Sequence, residues 1–363
     1  MAKRDAADYR EEVQEILDEH RGISRRDLIK RVGIGALSVP VFSSVLAACT
    51  SDEDPAEVAG AAEQEGAGLT MLGSNGGLVV TWYAQGRRTM EKWANLFGVE
   101  LDWVDGELNA QTQRQRLETA VASKNYDIAG ITAHEAGTVV QPVQELIGKG
   151  TAVMQMISTI AGPDEELDLL TWFEQSSFEM GIQVSRALFE SVGGQGTVIE
   201  TQGPAAFTGA QERHRGFEAA LGEYPGMELL ETDFGNWDVN RSRTLWESYL
   251  NRFPQIGCGY FHNDDMAFAA LEAMEAAGRG GQIAIGGADA MPEAIRAVGD
   301  GRFVATVRHS ACRMHMYPVV VGVAHALGAV ENVPKKIVID GPLVTSDNAE
   351  TLLFVQDDGV LIA

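Results

Sequence analysis

Short apolar, β-branched runs alternate with amphipathic helical stretches along this chain in two successive sets, and that rhythm points to parallel sheets built from βαβ units. The first set predicts strands at 78–82, 99–104, 126–131 and 151–157, separated by helices at 88–97, 111–123 and 137–148. Gly98 closes the first of these helices, and Leu117, Ala120 and Val121 share one face of the second. The second set predicts helices at 181–192, 210–221, 240–252 and 265–277, with strands at 196–201, 227–232, 257–261 and 282–286. No tandem repeat links the sets, so their likeness is architectural. The 315 residues from Cys49 onward exceed one comfortable core, and the expectation is an α/β protein of two similar Rossmann-like lobes.

Two export signals precede the first set in the order a secreted lipoprotein needs. Ser24-Arg25-Arg26-Asp27-Leu28-Ile29-Lys30 reads as a twin-arginine motif, and the apolar run at 32–47 follows it. That run has 16 residues and contains Pro40, short of the roughly 20 apolar residues of a permanent span, so it reads as a cleavable segment. Leu46-Ala47-Ala48-Cys49 resembles a lipobox, with the Cys49 thiol as the lipidation nucleophile. The competing reading, a buried N-terminal helix, meets an acidic, aromatic-free stretch at 50–68 that suits a solvated tether. The expected layout is a signal peptide at 1–48 and a tether at 49–70, with the protein extracytoplasmic and lipid-anchored to the membrane through Cys49.

Charge narrows the partners. Residues 1–48 carry eight groups of each sign, so the chain from Cys49 keeps the whole formal charge of -24, 20 basic against 44 acidic groups. Such a surface repels phosphate backbones and anionic headgroups, which argues against nucleic acid and leaves membrane attachment to lipid. The excess of 21 Arg over 7 Lys fits either a salty environment or an ordinary acidic extracellular protein. Cys258 in an apolar run and Cys312 in a polar, loop-like stretch read as free thiols rather than a disulfide. No CxxC, HExxH or His/Cys cluster supports a metal. A Rossmann enzyme lacks its fingerprint, since Gly73-Ser74-Asn75-Gly76-Gly77 precedes the first predicted strand, and no nucleophile-base-acid set is evident. The expectation is no enzyme and no cofactor.

Three segments carry a family resemblance: Gly209-Ala210-Gln211-Glu212-Arg213-His214-Arg215-Gly216-Phe217, Tyr260-Phe261-His262-Asn263-Asp264-Asp265-Met266-Ala267, and Gly286-Gly287-Ala288-Asp289-Ala290-Met291-Pro292-Glu293-Ala294-Ile295 running on to Ala305-Thr306-Val307. In order and spacing they resemble a type 1 periplasmic sugar-binding protein of the ribose/galactose-binding group, over residues 75–348. The resemblance implies lobes of 71–175 plus 310–340 and 176–309 plus 341–363, with a hinge crossed near 174–177, 309–311 and 340–342. The last 20 residues return to the second lobe, where Pro342-Leu343-Val344-Thr345 adds a strand or loop. It also implies a monomer that closes on a small polyhydroxylated ligand and delivers it to an ABC permease. A sensory receptor reporting to a chemoreceptor or kinase would use the same fold.

Ligands of open parallel sheets settle at the carboxyl ends of strands. Asn263 and Asp289 each follow an apolar run, and together they offer vicinal hydroxyls both a donor and acceptors. Each also suits helix capping, Asn263 through Met266 and Asp289 ahead of Met291-Pro292-Glu293. Arg213, in the first turn of a predicted helix, offers a planar fork, with a surface position as its alternative. Trp237, in a Gly-Asn-containing loop, offers a face for a sugar's C–H surface or for core packing. The resemblance places His309 at a crossover beside the ligand. At the first lobe's edge the family tends to show Asn plus aromatics, whereas this chain has Trp82-Tyr83-Ala84-Gln85-Gly86-Arg87-Arg88. Gln85 replaces the Asn as a hydroxyl partner there, and Trp82 or Tyr83 supplies stacking. Arg87 near a helix start keeps a sugar acid open, because helix N-termini disfavour cations without an anion nearby. Gln155-Met156-Ile157-Ser158 stands where sugar binders carry an Asp-Arg pair, and His134 is a further cleft-edge candidate.

Overall fold

The computed structural model describes residues 68–162, 166–339 and 341–356, with side chains to 353. The expected export motif, Cys49 and most of the tether lie outside the described residues. Thr70, assigned to the tether by the sequence reading, instead opens the first strand.

In chain order the first half comprises β1 (Thr70–Asn75), α1 (Thr81–Leu96), β2 (Glu100–Asp105), α2 (Ala110–Ser123), β3 (Ile128–Ile131), α3 (Val140–Gly148), β4 (Ala152–Met156) and β5 (Thr171–Glu174). The second half adds α4 (Ser177–Ser191), β6 (Gln195–Gln202), α5 (Thr208–Glu223), β7 (Gly226–Phe234), α6 (Val239–Arg252), β8 (Cys258–Phe261), α7 (Asp264–Ala276), β9 (Ala284–Asp289), α8 (Pro292–Gly299) and β10 (Ala305–Arg308). Then follow α9 (Ala311–Ala326), β11 (Lys336–Val338), β12 (Leu343–Val344) and α10 (Ala349–Gln356).

The strands form two six-stranded sheets, ordered β11-β5-β4-β3-β1-β2 and β12-β10-β9-β8-β6-β7. Pairings are parallel, as βαβ connections require, except that β12 runs antiparallel to β10. Each sheet is packed by its own helices. In the first lobe Leu72, Leu117, Val121, Ala129 and Val153 share one buried cluster. In the second, the Phe217 ring stacks on Tyr260 with centroids 5.6 Å apart, and Phe189 meets Phe217 edge-on. Helix starts follow side-chain chemistry: Asn109, Ser176, Asp238, Asn263 and Ser310 each accept a first-turn N–H.

The chain changes sheets three times. It passes from β5 into α4, which packs on β9 and β10, and from β10 into α9, which packs on β3 and β4. A last crossing leads from β11 to β12. The crossings are tied side by side, with Ile339 N–H donating to the Glu174 carbonyl, Arg308 N–H to that of Pro342, and the Gln175 side-chain amide to the Arg308 carbonyl. Thr70–Trp93 and the described residues from Leu101 onward form one compact unit.

Several sequence expectations need correction. Residues 78–82 are not a strand: Gly76-Gly77 turn the chain, Val80 N–H bonds the Gly77 carbonyl, and α1 begins at Thr81. The actual first strand, TMLGSN, is poor in β-branched residues but buried along five of its six positions. A Cβ at Gly73 would lie 2.6 Å from the Trp103 ring, so this strand needs its glycine for the sheet to pack. β5 was missed because four residues are too few to show a period. Cys312 lies buried in the first turn of α9 rather than in a loop, and neither Cys258 nor Cys312 is in a disulfide.

Candidate ligand-binding cleft

A cavity lies between the two sheets at the carboxyl ends of their strands. The first lobe supplies Val80, Trp82 and Tyr83 from the start of α1, and Ile157 from the end of β4. The second lobe supplies Phe207 and Arg213 around the start of α5, Trp237 before α6, Asn263 and Asp289, while His309 enters from the crossing into α9. About 290 Å³ of empty space lies within these walls, including the open mouth.

Its polar groups converge on Arg213, which is 3% exposed. One guanidinium NH2 group donates to the His262 carbonyl; the other lies 3.4 Å from His309 Nδ1 and 3.9 Å from an Asp289 oxygen. The guanidinium sits 5.7 Å from the Trp237 ring centroid, a cation–π distance. Burial drives Asp289 upward from the usual carboxylate range, and Arg213 opposes that shift. Burial first, and Arg213 second, hold His309 well below the ordinary imidazole range. Burial and the nearby Asp289 push the Tyr83 phenol upward. The buried atoms Arg213 Nε, Trp237 Nε1 and His309 Nε2 have no protein partner. Unpaired buried polar groups are costly, so these are the atoms a polar ligand would satisfy.

The aromatic walls are fixed from behind. Trp82 stacks on His309 with centroids 4.6 Å apart and donates from Nε1 to its carbonyl at 2.6 Å. Phe207 meets Trp237 edge-on at 5.7 Å. Gly203 is required beneath Trp237, since a Cβ there would lie 2.2 Å from the indole. Beneath Arg213, buried Glu200 accepts from His262 Nε2 at 2.9 Å and faces His214 Nδ1 at 2.8 Å, which fixes the peptide whose carbonyl holds the guanidinium. Hydrogen bonds also cross the cleft: Thr81 N–H and Oγ1 donate to the two Asp265 oxygens at 2.8 and 2.7 Å, Ala136 N–H to the Ala206 carbonyl at 3.3 Å, and Thr159 N–H to Thr208 Oγ1 at 3.1 Å.

A family model described as a periplasmic binding protein domain matches residues 75–328. The chain belongs to that family. Its curated relatives include a xylitol-binding protein of Mycolicibacterium smegmatis, 25% identical over 275 residues that span 75% of this chain and 76% of the relative. A galactofuranose-binding protein of Escherichia coli is 26% identical over 251 residues, 66% of this chain and 76% of that one. Among solved structures, the periplasmic binding protein component of the arabinose ABC transporter from Shewanella sp. ANA-3, bound to L-arabinofuranose, superposes with a TM-score of 0.73 at 21% identity, covering 80% of this chain and 96% of that one. The fold is that of a type 1 periplasmic binding protein, and the family works outside the cytoplasm.

This binding protein brings seven of the sequence candidates to one cavity: Trp82, Tyr83, Arg213, Trp237, Asn263, Asp289 and His309. Asn263 also caps α7, its Oδ1 accepting Met266 N–H at 3.0 Å, which leaves its amide N–H groups for the cleft. Asp289 caps nothing: Met291 precedes α8 without a side-chain cap, and the Met291 N–H donates instead to Asp264. Arg213 sits in the second turn of α5, not the first, because the helix starts at Thr208. Gln85, Arg87 and His134 do not line the cavity. Gln85 is buried within α1, and His134 N–H is tied to Gln113 Oε1. Arg87 pairs with Glu91 one turn on at 2.6 Å, which removes the reason to seek an anion beside it. Sequence reasoning passed over Val80 and Phe207, apolar residues that carry no chemical signal, and met Ile157 only as part of the Gln155-Met156-Ile157-Ser158 segment. It also misplaced the end of β1, where Asn75 is buried with an unpartnered Oδ1 and donates to the Tyr83 carbonyl at 3.3 Å.

Proposed function

We propose that this protein captures a neutral carbohydrate or polyol in the cleft and delivers it to an ABC-type permease. The observation that carries the reading is the convergence of Arg213, Asp289, Asn263 and His309 within aromatic walls. Guanidinium, amide and imidazole offer donors and the carboxylate offers acceptors, which is what vicinal hydroxyls need, and the indole of Trp237 suits a sugar's C–H face. One carboxylate faces the one guanidinium of the cavity, so a neutral ligand fits better than a sugar acid. Xylitol, named for one relative, and galactofuranose, named for another, belong to this chemical class. The protein acts as a binder and not an enzyme, and as a monomer. The twin-arginine motif, the apolar run and Cys49 support export and anchoring through a lipid on Cys49, with the acidic stretch after it as a tether.

A thermal-shift screen of residues 69–363 against pentoses, hexoses, pentitols, sugar acids, nucleosides and amino acids tests the reading, since a ligand stabilises by RT ln(1 + [L]/Kd). Sugars or polyols should raise the melting temperature, and Asp289→Ala and Trp237→Ala should abolish the shift without loss of fold. Shifts with amino acids or nucleosides alone would overturn the carbohydrate assignment. Unchanged affinity in both variants would remove the site.

A further inference from the structure

A second cavity lies directly behind the first, and one residue lines both. Ile157 walls the ligand cavity and also a larger space lined by Trp172, Glu174, Gln175, Phe178, Gln211 and Glu212. The front cavity encloses about 290 Å³ of empty space and the one behind about 710 Å³, each including its open mouth. The rear lining pairs aromatic faces with carboxylates and amides, the same chemistry that suits a sugar ring in front.

Ile157 is held in a conformation its side chain disfavours. Its φ is 59°, a left-handed value at which a β-branched residue is a true outlier. Neighbours enforce it: the Ile157 N–H donates to the Phe173 carbonyl at 2.9 Å, and its own carbonyl accepts from Trp172 Nε1 at 3.1 Å. The other lobe completes the wall, with Phe207 facing the front cavity and Thr208 the rear one. The seam is closed where Thr208 Oγ1 accepts Thr159 N–H.

We propose that Ile157 is a size filter. Resting on the carbohydrate reading, the inference is that Ile157 ends the binding site after one ring or one short polyol, and that the space behind it takes a second ring or an aglycone once the side chain is removed. Glycine adopts the same φ without penalty, so Ile157→Gly opens the wall while relieving the backbone.

Isothermal titration with D-xylose, xylitol, D-galactose and D-allose, and with xylobiose, lactose and phenyl β-D-xyloside as extended probes, tests this on the wild type, Ile157→Gly, Ile157→Ala and Ile157→Leu. The wild type should bind a short probe and discriminate against its extended counterpart by about 100-fold or more. Ile157→Gly or Ile157→Ala should narrow that ratio at least about tenfold, and Ile157→Leu should keep it. Equal wild-type affinity for short and extended probes, or an unchanged ratio in every folded variant, overturns the filter while leaving the carbohydrate reading intact. If no sugar or polyol binds any of the proteins, the carbohydrate reading fails and takes the filter with it.

Discussion

Asp265→Ala should weaken ligand binding without touching the ligand. Thr81 is the first residue of α1, and its N–H is one of the donors a helix leaves unpaired at its start. Asp265, in the first turn of α7 on the other lobe, accepts that N–H at 2.8 Å and the Thr81 hydroxyl at 2.7 Å. The carboxylate thus caps a helix across the cleft, where the helix dipole also favours it. Hydrogen bonds to charged groups contribute about 1.5–3 kcal/mol each when buried, but Thr81 is exposed and the pair lies at the cleft lip, so about 1–2 kcal/mol for both together is the better figure. That corresponds to a roughly 5- to 30-fold shift of the closed–open equilibrium toward open. Affinity measured by titration should fall by up to that factor, with the loss in the dissociation rate, and X-ray scattering should show a larger radius of gyration. Thr81→Val removes only the hydroxyl bond and should cost about half as much, and the double variant should be no worse than Asp265→Ala. A Kd for Asp265→Ala within twofold of wild type, or additive effects in the cycle, would refute the latch.

Three other outcomes follow from the same coordinates. Gly86→Ala puts a Cβ 2.2 Å from the buried His315 ring and should destabilise the protein by about 1–3 kcal/mol in urea denaturation, with partial recovery in Gly86→Ala/His315→Ala. Hydrogen bonds from His214 and His262 overcome burial and hold Glu200 down to about 2, so its contribution is present above the ordinary value of 4.5 and lost as pH falls through the folded value; Glu200→Gln should cost on the order of 3 kcal/mol at neutral pH and flatten acid denaturation. Burial raises Asp289, and ligand hydroxyls donate to its ionised form, so sugar affinity should rise with pH between roughly 5 and 8 and lose that slope in Asp289→Asn; a slope kept in the variant would place the titrating group elsewhere.

The second lobe was more legible in sequence than the first, for a physical reason. Its strand β8 buries a continuous apolar run, β6 is marked by Val198-Ile199, and its helices begin at side-chain caps such as Asp238 and Asn263, so period and punctuation agree. In the first lobe the two signals conflict. Leu78-Val79-Val80 looks like a strand by composition, yet Val79 is 70% exposed in the turn that opens α1, while the true β1 contains Gly and Ser. That single shift moved Gln85 and Arg87 from a supposed strand-end loop onto a helix, where neither lines the cavity. Residues with a chemical signature, such as Arg213 and Asp289, were visible through their motifs. The walls made of Val80, Ile157 and Phe207 required coordinates, because an apolar residue in a cavity and one in a core read alike.

Strain marks the same boundary of legibility. Of the seven described non-glycine residues at positive φ, Ile157, Asn236, Trp237, Asp289 and Ala290 lie at or beside the carboxyl ends of β4, β7 and β9, where the cleft is built. Glycine would fit each position more cheaply, so composition there predicts ordinary backbone. Surrounding bonds must hold these conformations instead: Asn236 N–H donates to the Gln202 carbonyl at 3.2 Å, and Ala290 N–H to Thr306 Oγ1 at 3.2 Å. Left-handed backbone at Trp237 and Asp289 turns a long side chain off its strand or loop, which is how an indole and a carboxylate come to line one cavity with Arg213. The cost is local and the folded lobes carry it. Relaxing Asp289 or Trp237 to glycine would remove both the strain and the group that the strain holds in place, whereas at Ile157 relaxation removes only a wall.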